Sequence, residues 1–382
     1  MSAASINLGA VATIVAGQSP PGSSYNENGN GLPFFQGKAE FGEVYPKPVK
    51  WCTAPTKLAE AGDILISVRA PVGPTNISAE KCCIGRGLAA IRPDPDKADA
   101  GFVHWALIAA RSALERKANG STFAAINRKD LASLRIPLPP LDEQRRIVGL
   151  LDRTAEIKRR ADAARAKARA IIPALFLDTF GDPATNPKGW PHLPFGQITS
   201  EFRYGTNQKC HDESGKGSVP VLRIPNVIGG QIDWSDIKHA ALPAKEREKT
   251  RLRVGDLLFV RTNGNPDYIG RCAYFDAQTD ASYASYLIRA RLAESMSPIF
   301  AVHHFNHPRF RPLMLRMGKT TAGNYNLSVE GLSALPVMVP PLALQAAFAD
   351  HASRIHSLAR HLDAAAAKAE AMGSGLSADV FG

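Results

Sequence analysis

Ile136-Pro137-Leu138-Pro139-Pro140-Leu141-Asp142-Glu143-Gln144-Arg145-Arg146-Ile147 joins two kinds of structure. Residues 131–138 read as a strand, and the paired prolines stop it, since proline offers no N–H to a ladder. Asp142 is a fair helix N-cap, and from Ile147 apolar residues recur every seven positions. The chain then repeats this junction. Pro340-Pro341-Leu342 and Gln345 stand 201 residues after Pro139-Pro140-Leu141 and Gln144, and a second Ala-rich helix follows. Asp178, Phe180 and Gly181 match Asp379, Phe381 and Gly382 at the same offset. Solenoid repeats run to about 20–50 residues, so this is two copies of one domain-plus-helix unit.

In the first helix Ile147, Thr154, Ala161, Ala168 and Leu175 hold one heptad position, and Leu150, Ile157, Ala164 and Ile171 lie three further on. In the second, Phe348, Ile355, Leu362, Ala369 and Leu376 are joined by His351, Leu358, Ala365 and Met372. This predicts a coiled-coil seam, with Ile147, Leu150, Ile157, Ile171, Phe348, Ile355, Leu358 and Leu362 as its larger residues. About 30 residues at 1.5 Å rise make a rod of roughly 45 Å. Pro173 should end or kink the first helix. Isolated helices are marginal in water, so each seam needs a partner. The other copy is the obvious one. Antiparallel pairing would put one domain at each end, giving a dumbbell with a pseudo-twofold axis. Pairing with other subunits is the alternative.

The globular halves read as α+β. Leu32-Pro33-Phe34-Phe35 and the run Asp63 to Val68 suit short buried strands, and residues 102–117 suit an amphipathic helix. The second half repeats the order. Ala61-Gly62-Asp63-Ile64-Leu65-Ile66-Ser67-Val68-Arg69 corresponds to Val254-Gly255-Asp256-Leu257-Leu258-Phe259-Val260-Arg261-Thr262, with a one-residue slip inside the strand. The helix recurs at 299–317. The offset drifts from 193 at the Gly-Asp to 201 at the Pro-Pro. Insertions therefore fall in the globular parts, as suits domains that bind different things. The expected boundaries are 1–140 and 186–340 for the globular domains, and 141–180 and 341–382 for the helices.

A chain of 382 residues with net charge +11 calls for more than one core. Residues 1–141 hold 15 Lys and Arg against 11 Asp and Glu, and residues 186–340 hold 19 against 13, so most of the charge is in the globular halves. Basic domains favour polyanions through counterion release. No apolar run is long enough to span a membrane. The N-terminus lacks a signal-peptide pattern, and the five cysteines form no C-x-x-C pair, so a cytoplasmic protein is expected. Cys82-Cys83 reads as one buried and one exposed thiol.

Catalytic patterns are sparse. Asn265-Pro266-Asp267-Tyr268 resembles the Asn-Pro-Pro-Tyr loop of adenine-N6 methyltransferases, but Asp267 replaces the second proline. Gly29-Asn30-Gly31 and Gly85-Arg86-Gly87 are too short for a cofactor loop. Asp96 with Glu115-Arg116-Lys117 fits a metal-nuclease pattern only loosely. His303, His304 and His307 read as surface or DNA-facing side chains. No catalytic residue, metal site or cofactor is expected.

What remains suits DNA reading. Arg and Lys can be bidentate to guanine, Asn and Gln to adenine, and Lys, Ser and Thr can hold phosphates. The candidates in the first half are Arg69, Arg86, Lys117, Asn119, Ser121, Thr122, Asn127 and Arg128. Those in the second are Arg203, Tyr204, Asn207, Lys209, Arg261, Asn263, Arg271, Lys319, Thr320, Thr321, Asn324 and Tyr325.

The doubled Pro-Leu-Pro-Pro-Leu-x-Glu-Gln signature and the Gly-Asp-Ile-Leu-Ile-Ser-Val-Arg strand resemble the specificity subunits of type I restriction-modification systems. The resemblance covers essentially the whole chain. It implies two mixed α/β target-recognition domains separated by two long antiparallel helices, each domain reading half of a bipartite site on double-stranded DNA. The helices would set the spacer and dock two methyltransferase subunits, with restriction or translocase subunits as optional partners. Chemistry would belong to the partners. In the second copy Leu344 replaces Glu143, and Ala346-Ala347 replace Arg145-Arg146, so equal docking does not follow. Two rival readings are a stand-alone DNA-modifying enzyme, methyltransferase or nuclease, and a coiled-coil adaptor without DNA specificity.

Overall fold

The computed structural model describes residues 4–118, 125–321 and 324–382. Its helices are α1 (Ala100–Ala109), α2 (Arg111–Ala118), α3 (Arg128–Ala132), α4 (Leu141–Phe180), α5 (Ala244–Thr250), α6 (Pro298–Asn306), α7 (Arg311–Arg316), α8 (Val329–Ser333) and α9 (Leu342–Phe381). The chain divides into two compact units: Met1–Asp162 with Asp363–Gly382, and Ala163–Leu362. Each unit combines one globular half, the first part of its own long helix and the last part of the other.

In the first unit, Ala12–Ala16, Leu88–Pro93, Ile64–Ser67 and Thr75–Ile77 form an antiparallel sheet in that spatial order. In the second, Thr199–Tyr204, Leu287–Leu292, Leu257–Val260 and Cys272–Tyr274 repeat it. Each sheet is built on the same Gly-Asp turn. Gly62 and Gly255 have φ of +86° and +93°, where a side chain would be strained. The next residue is a buried carboxylate: Asp63 receives two hydrogen bonds from Arg92, at 2.8 and 2.7 Å, and Asp256 two from Arg291, at 2.8 and 2.8 Å. Pairing fixes these charges inside, since a buried carboxylate without a cation is costly.

The glutamines of the opening motif tie helix to domain identically. Gln144 Oε1 accepts from the Asp99 N–H, and its Nε2 donates to the carbonyls of Pro139 and Lys97. Gln345 Oε1 accepts from the Ser297 N–H, and its Nε2 donates to Pro340 and Ser295. Asp99 and Ser297 are themselves the N-caps of α1 and α6. The helix ends are equally matched. Phe381 packs on Phe102 at 5.1 Å in the first unit, and Phe180 on Phe300 at 4.7 Å in the second.

Several expectations need correction. Pro173 does not end α4, which runs to Phe180; burying Phe176 and Phe180 completely outweighs the roughly 3 kcal/mol a mid-helix proline costs. Asp142 lies inside the first turn of α4 rather than capping it, where its charge still suits the helix dipole. Residues 131–138 are not one strand: Leu131 and Ala132 end α3, and only Arg135–Pro137 is a strand. The helices expected at 102–117 and 299–317 are each two, broken after Ala109 and Asn306. Cys82 and Cys83 are both buried, because both faces of their strand are covered, one by Leu65 and Ala59, the other by Phe34 and Cys52.

The seam is shifted. Leu150, Ile157, Ile171 and Leu358 are exposed at 41, 43, 50 and 54%, while Leu151, Ile172, Ala352 and Ala366 are buried. These buried residues lie four, not three, after the heptad residues Ile147, Ala168, Phe348 and Leu362. Both sets contain Leu or Ile on α4 (Leu150-Leu151, Ile171-Ile172), and Lys158 and Arg165 in the four-set disguised it; such side chains cover apolar surface with their stems. Ile147 and Leu151 pack with Leu376 and Val380 in the first unit, and Phe176 stacks edge-on with Phe348 in the second. Ile355 is half-buried against the second core, and Leu362 is intermediate.

Histidines 303 and 304 are not surface groups. His304 is fully buried against Phe310. His303 shares a 3.2 Å Nε2–Nε2 hydrogen bond with His356. Burial pushes both His303 and His304 down to about 3. Among the described residues no helix is long and apolar enough to cross a membrane.

Candidate nucleic-acid interface

In the first unit three segments meet at the end of Ile64–Ser67. The Val68 N–H donates to Gly87 O, and the Ile126 N–H to Val68 O, both at 2.9 Å. This gathers Arg69, Arg86, Asn127 and Arg128. The guanidinium groups of Arg69, Arg86 and Arg128 are exposed. Lys117 and Asn127 are engaged otherwise: Lys117 pairs with Asp130 at 3.1 Å, and Asn127 caps α3 by accepting from the Lys129 and Asp130 N–H groups. Asn119, Ser121 and Thr122 lie outside the described residues.

The second unit repeats the junction. The Arg261 N–H donates to Tyr286 O, and the Leu327 N–H to Arg261 O. Arg261 is thus the counterpart of Val68, which settles the one-residue slip. Here the junction is larger, because Thr262–Asn263, Asn324–Asn326 and Lys319–Thr321 form a three-stranded sheet. It brings together Arg261, Asn263, Lys319, Asn324 and Tyr325, with the backbones of Thr320 and Thr321. Tyr204 joins them: the Arg261 guanidinium lies 4.6 Å over its ring. Stacking pre-orients the cation.

Beside this cluster is a cleft of about 420 Å³, lined by Asn207, Lys209, Arg223 and Tyr286 among others. Tyr286 is 57% exposed and was not anticipated. The only sequence signal was an aromatic ending the Tyr283-Ala284-Ser285-Tyr286 run. Asn263 spends its side-chain oxygen on the Asn265 N–H, at 2.8 Å. Arg271 stands over Tyr268 at 3.8 Å and donates to Asp267 O. Asn265, the first residue of the Asn-Pro-Asp-Tyr loop, accepts from the Asp267 N–H and so supports a turn. Arg203 does not join the cluster. It donates to Glu201 at 2.8 Å, on the opposite face of its strand.

The arrangement offers guanidinium, amide and phenol groups on irregular, exposed backbone above a rigid sheet. Such groups can contact base edges and phosphates. Among the described residues no group of three or more His, Cys, Asp or Glu is placed to hold a metal ion.

Residues 4–161 match the family model described as the type I restriction modification DNA specificity domain. The chain is 50% identical over 167 residues to the "Putative type I restriction enzyme MjaX specificity subunit" of Methanocaldococcus jannaschii, covering 43% of this chain and 39% of that one. It is 29% identical over 288 residues to the type I restriction enzyme EcoKI specificity subunit of Escherichia coli, covering 70% and 60%. The chain therefore spans less than two thirds of either relative. A crystal structure of the type I restriction-modification system S subunit from M. genitalium superposes with a TM-score of 0.63 at 16% identity, over 99% of this chain and 96% of that one. It shares the fold.

Proposed function

We propose that this chain, whose residues 4–161 match the model of the type I restriction modification DNA specificity domain, is the non-catalytic specificity subunit of a type I restriction-modification complex. It recognises a bipartite site on double-stranded DNA, one half through the Arg69 junction and the other through the Arg261 junction. The observation that carries this reading is the matched pair of junctions on matched sheets, each locked to a long helix by Gln144 or Gln345. Two equal frames bearing unequal loops suit a ligand with two unequal halves.

The helices then serve as spacer between the readers and as dock for methyltransferase subunits. The exposed stripe supports the docking role. Ile157 and Leu358, and Ile171 and Met372, stand 201 residues apart, and all four are 43–58% exposed. The partners supply the chemistry, with restriction subunits as a further component.

Replacing residues 186–340 with the equivalent segment of a relative tests this. Methylation mapping of the assembled complex should show one half-site changed and the other kept. A change at both would reject separate readers. Deleting seven residues from each helix should shorten the spacer and leave both half-sites intact.

A further inference from the structure

Thr199–Tyr204 has two faces. Phe202 packs into the core of the second unit, so Glu201 and Arg203 point the other way. Their cross-strand partners are Arg291 and Arg289. Three guanidinium groups therefore surround Glu201: Arg203 donates at 2.8 Å, Arg291 at 3.2 Å, and Arg289 closes the set. Asp256 takes the other edge of Arg291. Burial opposes the Glu201 charge, yet the Arg203 hydrogen bond and the Arg289 and Arg291 charges outweigh it, holding its carboxyl below the usual range. Three cations meet two carboxylates, and Arg289 is only 1% exposed, with its Nε lacking a hydrogen-bond partner. Both carboxylates are already shared among the three guanidinium groups, so the cluster carries one surplus positive charge.

Glu201, Arg203, Arg289 and Arg291 floor a cleft of about 940 Å³. Lys245 and Lys249 of α5 rise along its side, followed by Arg251 and Arg253. Seven cationic side chains line it against three carboxylates, Glu201, Glu248 and Asp280. Arg251 is paired, with Asp280 at 3.4 Å. Lys245, Lys249 and Arg253 are exposed and form no ion pair among the described residues. Helix α5 is also a wall of the reading cluster: Glu246 accepts from Thr206 and Gln208, beside Asn207 and Lys209. The cationic cleft thus lies just across α5 from the loops proposed above to read bases.

We propose that this cleft binds the phosphodiester backbone of DNA next to the half-site read by the second unit, without reading bases. The proposal rests on the DNA-specificity reading above. The ligand class follows from the lining, which has cations for phosphate and no aromatic ring on which a nucleoside could stack. Such an anchor adds affinity at every sequence and fixes register.

The test is the triple variant Lys245→Ala, Lys249→Ala, Arg253→Ala in the assembled complex. All three side chains are exposed and outside the buried network, so the fold is kept. Dissociation constants are measured over a salt series for a duplex carrying both half-sites and for an unrelated duplex. Both should weaken by the same factor, and the slope of log K on log salt should shrink by about 3, near one per lost phosphate contact. An unchanged slope, or a changed half-site preference, overturns the anchor. Inorganic tripolyphosphate is the second arm: thermal protection of the parent that the variant loses, with the DNA slope unchanged, assigns the cleft to a free polyanion and overturns the DNA proposal. A parent complex without half-site preference instead sinks the specificity reading on which this one rests.

Discussion

The side-chain oxygen of Gln144 accepts a 2.8 Å hydrogen bond from the backbone N–H of Asp99, and so attaches the long helix α4 to the cap of α1. Three bonds converge on this fully buried amide, and the same three recur at Gln345. The helix cannot rotate about its axis relative to the domain without breaking them. The proposed reading of DNA by loops held in a fixed direction would need such a joint.

Gln144→Ala and Gln345→Ala should each strand one buried N–H and two carbonyls. The expected cost is about 1–3 kcal/mol per variant, of similar size in both because the bonds are the same. Urea unfolding of each single variant checks this; a loss at one site only would show that the two joints are not equivalent.

Arg69→Ala should relax base preference in one half-site and Arg261→Ala in the other. Each bidentate base contact is worth about 1–3 kcal/mol of discrimination. Binding to a panel of single-base-substituted duplexes would reveal it. Loss at both half-sites from one substitution would speak against separate readers.

Ile157→Glu and Leu358→Glu place charge on exposed positions, so the stability of the chain should move by no more than about 0.5 kcal/mol. Capture of methyltransferase subunits should fall instead. The control is Leu151→Ala, one position away from Leu150 but fully buried, which should cost about 2–5 kcal/mol. If Ile157→Glu assembled normally, the stripe would not be the dock.

Acid should weaken the second unit through its histidines. Burial lowers His303 and His304 from 6.5 to about 3, so between those values the unfolded chain binds more protons than the folded one. Stability is then full above pH 6.5 and is lost as pH falls toward 3, by up to about 1.4 kcal/mol per pH unit for each fully unprotonated histidine. Thermal midpoints from pH 7 to 4 should decline, and His303→Phe should flatten the decline. A midpoint independent of pH in that window would contradict the burial.

The duplication, the two long helices, the Gly-Asp turn and the basic halves could all be read from the chain. Each rests on local signals: proline and glycine at fixed positions, a heptad period, formal charge. The geometry of the candidate site was only half legible. Arg261 and Tyr204 could be named as candidates, but not that one lies over the other. Arg203 could not be told from them, because its distance from the cluster depends on strand alternation and on Glu201, two residues before it. Arg92 and Arg291, the partners of the Gly-Asp carboxylates, carried no sequence signal at all.

Sequence alone determined that there are two equivalent units, since periodicity and repeat offset need no partner to be seen. Only the tertiary structure decided which face of each helix is covered. Leu150 and Leu151 are chemically the same, and a helix has no inside until another surface arrives. The same holds for the helix ends. Phe180 and Phe381 look like parts of the domains that precede them, yet Phe180 is buried in the core of the second unit and Phe381 is half-buried against Phe102 in the first, because a helix of 40 residues carries its end about 60 Å from its start.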